Sequence, residues 1–199
     1  MDNEMKKEEF NNLENRIWKT YQSRIIAAER LLNNSKILDF YSTIYTICLT
    51  LLSVFSLING DKLINYFSVF ISIIVMGIVF YGNTMNYKDR YINMKDNYLK
   101  LGDLYYKCLY EKINKSYNIE KIYEEYSNLL NTVENHSKYD YISYRLSDNN
   151  EKEKVSFIQK NIYWMRSVMV SILKIMILAI PIFFVIVSFI KMIWEINEK

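Results

Sequence analysis

FYSTIYTICLTLLSVFSLING, Phe40 to Gly60, is uncharged for 21 residues, and LINYFSVFISIIVMGIVFYGNTMNY, Leu63 to Tyr87, for 25. At about 1.5 Å per residue the first is a helix of roughly 30 Å, the thickness of a bilayer core. Core helices of soluble proteins seldom run so far without a charge. Only Asp61 and Lys62 separate the two runs, so they form a hairpin of antiparallel spans.

A third apolar run, Ser167 to Ile190, is interrupted by Lys174, which lies about one turn inside and can snorkel to the interface. Trp164 and Trp194 flank this run as interfacial anchors do, and Pro181 is expected to kink it mildly. The run either spans or lies in the interface. None of the three is a secretory signal: a charge-rich stretch of some 36 residues precedes the first, and no small-residue cleavage pattern follows.

Orientation follows from Lys and Arg near the span ends. Eleven lie on one side, among them Arg24, Arg30, Lys36, Lys88, Arg90, Lys152 and Lys154. Three lie on the other: Lys62, Lys191 and Lys199. The chain then divides into a cytoplasmic amphipathic helix (1–36), a two-span transmembrane hairpin (37–87), a cytoplasmic helical region (88–160) and a C-terminal membrane helix (161–194). The class is an all-α membrane protein with a cytoplasmic helical bundle or coiled coil.

Between the apolar runs the periodicity is helical. Phe10, Leu13, Ile17, Tyr21, Ile25, Ala28 and Leu32 step by three or four, an amphipathic helix from about Asn3 to Leu38, continuous with the first span. Tyr91, Met94, Tyr98, Leu101, Tyr105 and Cys108 alternate steps of three and four, the 3.5-residue period of a coiled-coil seam. Ile119, Ile122, Tyr126, Leu129 and Val133 do the same. These seams bury each other in one bundle, and one of them can also join copies. Ser116 to Asn118 separates the two helices, with Asn118 as a cap; Ser147 to Lys154 reads as a loop.

Composition excludes much chemistry. Two Cys, one His, four Gly and one Pro leave no material for a disulfide framework, a Cys zinc site or a Gly-rich phosphate loop. A net charge of +3 gives no case for direct nucleic-acid binding. Glu124 and Glu125 read as a hydrated helix face, Cys48 and Cys108 as packing, and His136 as a capping or hydrogen-bonding residue. No catalytic, metal or cofactor site is expected, and the chain is not expected to be an enzyme.

One polar pattern remains. Asp39, Thr43, Thr46, Thr50 and Ser53 step by four and three, so they share a face of the first span, and Ser68 and Ser72 add small polar groups to the second. Such a face packs helices together or walls a water-filled pore. A single hairpin cannot enclose a channel, so a pore needs an oligomer.

The helix Trp18-Lys19-Thr20-Tyr21-Gln22-Ser23-Arg24-Ile25-Ile26-Ala27-Ala28-Glu29-Arg30-Leu31 ahead of a two-span hairpin resembles the SLATT group, the SMODS and SLOG-associating two-TM effector domains of bacteria. Asn86, Arg90, Tyr98, Leu101 and Leu104-Tyr105 after the second span are similar too. Glu134-Asn135-His136-Ser137 followed by Asp140-Tyr141, with the added C-terminal apolar run, is most like family 5. The third run departs from a strict two-span description. The resemblance implies a conflict-system effector in the bacterial inner membrane, silent until a sensor signals infection. It then assembles or opens and breaches the membrane. The implied sensors are a reverse transcriptase or a nucleotide-second-messenger system.

Two readings follow. In the first the chain is an oligomeric pore-forming effector, with Thr43, Thr46, Thr50 and Ser53 at the lumen or the hairpin interface. In the second it is a non-conducting anchor that recruits a cytoplasmic partner. Trp18, Arg24, Arg30 and His136 are the candidate motif residues, the two arginines making ion pairs within the bundle or holding it at the membrane surface.

Overall fold

The computed structural model describes residues 2–60, 62–149 and 155–197; Lys152, Lys154 and Lys199, counted above for orientation, lie outside them. The chain is 91% helical with no strand among the described residues. In order the helices are α1 (Asp2–Asn59), α2 (Lys62–Met85), α3 (Tyr87–Ile113), α4 (Ile119–Asn131), α5 (Lys138–Ser147) and α6 (Phe157–Asn197). Three are long and apolar enough to cross a membrane: α1, α2 and α6. The molecule is an all-α membrane protein. It divides into a bundle unit (1–32 and 87–163) and a membrane unit (33–86 and 164–199).

In the bundle unit the N-terminal half of α1 packs with α3 and α4. Phe10, Leu13 and Ile17 meet Leu101, Leu104 and Cys108 of α3 and Ile122 and Tyr126 of α4. A second cluster joins Ala27, Ala28 and Leu31 to Met94. The three–four seams are therefore used inside one chain.

The buried face of α1 also drifts from its apolar stripe. Thr20, Ser23 and Arg24 are buried, while Ile25 and Leu32 are only half-buried. The small residues Ala27 and Gly102 let the helices approach closely: a Cβ on Gly102 would lie 3.2 Å from Tyr21 Cε2.

Between α3 and α4, Lys115 and Tyr117 take positive φ, at 55° and 41°, which non-glycine residues rarely adopt. Tyr117 sets its ring edge-on to Phe10 at 5.3 Å. Asn118 caps α4, its side chain accepting from the Lys121 N–H. Helix α5 has no counterpart in the sequence reading. It starts with a capping box: Ser137 accepts from the Asp140 N–H, and the Asp140 carboxylate accepts from the Ser137 N–H.

In the membrane unit Tyr45, Leu52, Ile64 and Ile71 form the buried centre. Helix α6 packs on it through Phe184, whose ring centroid is 4.5 Å from that of Phe67. Tyr41 reaches Lys174, Tyr45 reaches Ile177 and Phe55 meets Phe189. Both numbers rise together, so α6 runs parallel to the first span and lies along the hairpin. An orientation flat in the interface does not fit this register. Gly60, at φ 63°, ends α1 in the left-handed region.

Candidate functional site

Arg24 is fully buried. Its Nη1 donates to the Asn97 side-chain oxygen and, at 3.1 Å, to the Leu129 carbonyl; Nη2 reaches the Leu130 carbonyl at 3.4 Å. Those carbonyls belong to the last turn of α4, where no helical N–H follows to bind them and the helix dipole is negative. Asn97 Nδ2 also donates to the Leu129 carbonyl at 2.7 Å and to Thr132 Oγ1 at 2.7 Å. The cation is thus held by dipoles, not by a carboxylate, so the expectation of an Arg24 ion pair is corrected. Nε has no partner among the described residues. Burial pulls the guanidinium pKa down, against a smaller opposing pull from Tyr126; an arginine stays charged all the same.

Arg30 does form an ion pair. Its Nε and Nη2 grip the two Asp140 oxygens at 2.8 and 3.1 Å, a bidentate fork. Burial pushes the Asp140 carboxyl up, but hydrogen bonds from Arg30 and Ser137 outweigh it and hold the carboxyl below its ordinary value. The same Asp140 bond raises Arg30. Nearby, Arg90 grips Glu134 with two bonds of 2.8 Å. His136 is half-buried, and Nδ1 has no partner among the described residues. Burial first, then the Arg24 charge, lowers its pKa against the pull of Asp140. Trp18 lies away from this group, against Tyr105 (centroids 4.8 Å) and Tyr21 (5.6 Å). The motif residues Arg24, Arg30 and His136 thus converge where α1, α3 and α4 meet the start of α5, while Trp18 packs the bundle.

In the membrane unit Thr43, Thr46, Thr50 and Ser53 are all exposed on the single chain. The hairpin interface is built instead from Tyr45, Leu52, Ile64 and Ile71, so the hairpin-interface alternative for the stripe is set aside. Each stripe hydroxyl donates to the carbonyl four residues back, at 2.7 to 3.0 Å. The stripe's protons are therefore satisfied by its own helix, while its oxygens can still accept. Ser68 bonds back four residues, to the Ile64 carbonyl, and Ser72 three, to that of Val69.

Polar contacts also cross between membrane helices: Ser56 Oγ donates to Asn65 Oδ1 near the hairpin tip, and two tyrosines reach α6. Pro181 has no N–H, so the carbonyl four residues earlier, that of Ile177, has no helical donor. The buried Tyr45 hydroxyl donates to it at 2.7 Å. Tyr41 donates to the Lys174 carbonyl at 2.9 Å. In hydrocarbon an unmet carbonyl is costly, which explains why a buried tyrosine stands opposite the proline. Helix α6 continues through Pro181 as one helix. The sequence reading missed Tyr45, Asn97 and Asp140 as positioning groups. A tyrosine on one apolar run and a proline on another was the available signal for the first.

A model of the SMODS and SLOG-associating 2TM effector domain family 5 matches residues 6–187. The chain belongs to that family, whose domains are effectors of anti-phage and conflict systems. No curated protein and no solved structure matches the chain.

Proposed function

We propose that this effector works by self-assembly in the bacterial inner membrane. A cognate sensor, either a reverse transcriptase or a nucleotide-second-messenger system, triggers the assembly to form a pore or disrupt the bilayer. The bundle unit and N terminus face the cytoplasm, where that sensor resides. The chain acts without catalysis and without a cofactor.

The observation that supports this reading is the hydroxyl stripe Thr43, Thr46, Thr50 and Ser53, exposed on the membrane unit with its protons bonded within α1. Such a stripe tolerates lipid when copies are apart, because no donor is left unmet. Brought together around a lumen, its oxygens accept from water. One surface thus serves a silent and a conducting state, and a sensor shifts the balance only by binding one state more tightly.

The experiment is ion leak from liposomes holding purified full-length chain, wild type against the double variant Thr46→Leu/Thr50→Leu, at matched insertion. Leak that falls at least tenfold in the variant supports a lumen at this face. Unchanged leak removes the stripe from the pore. Assembled, inserted wild-type protein that never leaks favours the non-conducting anchor.

A further inference from the structure

Helix α3 carries a second apolar stripe on the side away from the core. Ile92, Leu99, Tyr106 and Ile113 recur every seven residues and are 51%, 52%, 69% and 78% exposed. They span roughly 30 Å of helix. The core seam Met94, Leu101 and Cys108 occupies the opposite side and is buried. An apolar row left exposed along one face of a helix is a candidate surface for a partner helix.

The flanks identify the partner. Successive residues turn by 100°, so positions three after each stripe residue lie on one flank and positions four after on the other. Lys88 and Lys95 occupy one flank, and Asp89, Asp96 and Asp103 the other, all exposed. Asp96 also holds Lys100 at 2.7 Å, an exposed pair four residues apart. When two identical helices meet stripe to stripe in parallel, the left flank of each faces the right flank of its mate. Lysines then face aspartates along both edges. Antiparallel pairing would set lysine against lysine and aspartate against aspartate. The charge pattern therefore selects a parallel second copy.

We infer that the outer stripe of α3 is a two-fold self-association surface, at which two copies of this chain pair in parallel through Ile92, Leu99, Tyr106 and Ile113. This rests on the self-assembly reading above and names the surface that begins it. A two-fold contact uses the same patch on both copies, so it builds a dimer. A larger ring needs a second contact.

The test is site-directed crosslinking of the full chain in native membranes. In a parallel two-fold pair, equal positions on the stripe lie side by side. Leu99→Cys and Tyr106→Cys are expected to give disulfide-linked dimers. Glu124→Cys, on the exposed face of α4, and the wild type are not. The native Cys108 is a silent background, because burial pushes its thiol up to about 12. A charge exchange adds a second readout by mass photometry in nanodiscs. Lys95→Asp and Asp96→Lys are each expected to lower the dimer fraction about threefold, and the double exchange to restore it. Rescue of this kind is not expected from a folding defect. If the protein is oligomeric while stripe cysteines link no better than Glu124→Cys, the stripe serves another occupant and the inference falls, with self-assembly intact. If the inserted chain is monomeric throughout, both fall together.

Discussion

Arg24 donates to Asn97 at the centre of the bundle, with no carboxylate among its hydrogen-bond partners. Asn97 turns its amide around between the cation and the end of α4, accepting from one and donating to the other. Removing Asn97 leaves a buried charge with fewer acceptors. Asn97→Ala is expected to destabilise the bundle by about 1–3 kcal/mol. Arg24→Met should cost less than Asn97→Ala once Asn97→Leu accompanies it, since an apolar pair removes both desolvated groups. Thermal unfolding of the full chain in micelles checks the order of the variants.

The Arg30–Asp140 pair and His136 give the bundle an acid response. The folded pKa of His136 lies below its ordinary 6.5, so just below that pH the unfolded chain binds more protons. Stability therefore falls as pH drops through about 6.5. Asp140 is held below its ordinary 3.8, so its contribution is present above that value and is lost as pH falls through its folded pKa. Two successive losses on acidification are expected, and His136→Gln should abolish the upper one. Asp140→Asn should cost about 2 kcal/mol at neutral pH by breaking a charge-assisted pair. Unfolding midpoints across pH measure both.

Gly102 faces Tyr21 with room for a hydrogen but little more. Gly102→Ala gains about 1 kcal/mol of helix propensity against a contact that Tyr21 must yield by a few tenths of an ångström, so a near-neutral effect is expected. Gly102→Leu should cost about 1–3 kcal/mol through overpacking. Chemical denaturation of the same micellar protein separates the two.

Tyr45 and Pro181 should couple in a predictable direction. With proline present, Tyr45→Phe leaves the Ile177 carbonyl unmet and is expected to cost about 0.6–1.7 kcal/mol. In a Pro181→Ala background the helix supplies its own N–H, and the same change should cost measurably less. Unfolding of the four proteins in a double-mutant cycle gives the coupling energy. An equal cost in both backgrounds would mean the tyrosine does not serve that carbonyl.

The parts of this fold that repeat along the chain were legible in the sequence. The uncharged runs from Phe40 and Leu63 gave the hairpin, and steps of three and four gave α3, α4 and the start of α1. What escaped were groups joined across long separations. Arg24 was read as an ion-pairing or membrane-surface arginine, because its uncharged acceptors lie 73 and 105 residues away. Helix α5 is too short for periodicity to show, yet its Ser137-x-x-Asp140 capping box was readable. The outer stripe of α3 was hidden by the stronger seam on the same helix.

The most direct test of the proposed activity is membrane potential in bacteria induced to express the full chain together with its triggering partner. Wild type should depolarise the cells promptly. Thr50→Leu, shown to insert and assemble equally, should leave them polarised for much longer. Cells that stay polarised while the wild-type chain is demonstrably inserted, assembled and bound by its trigger would contradict a permeabilising effector and leave an anchor in its place.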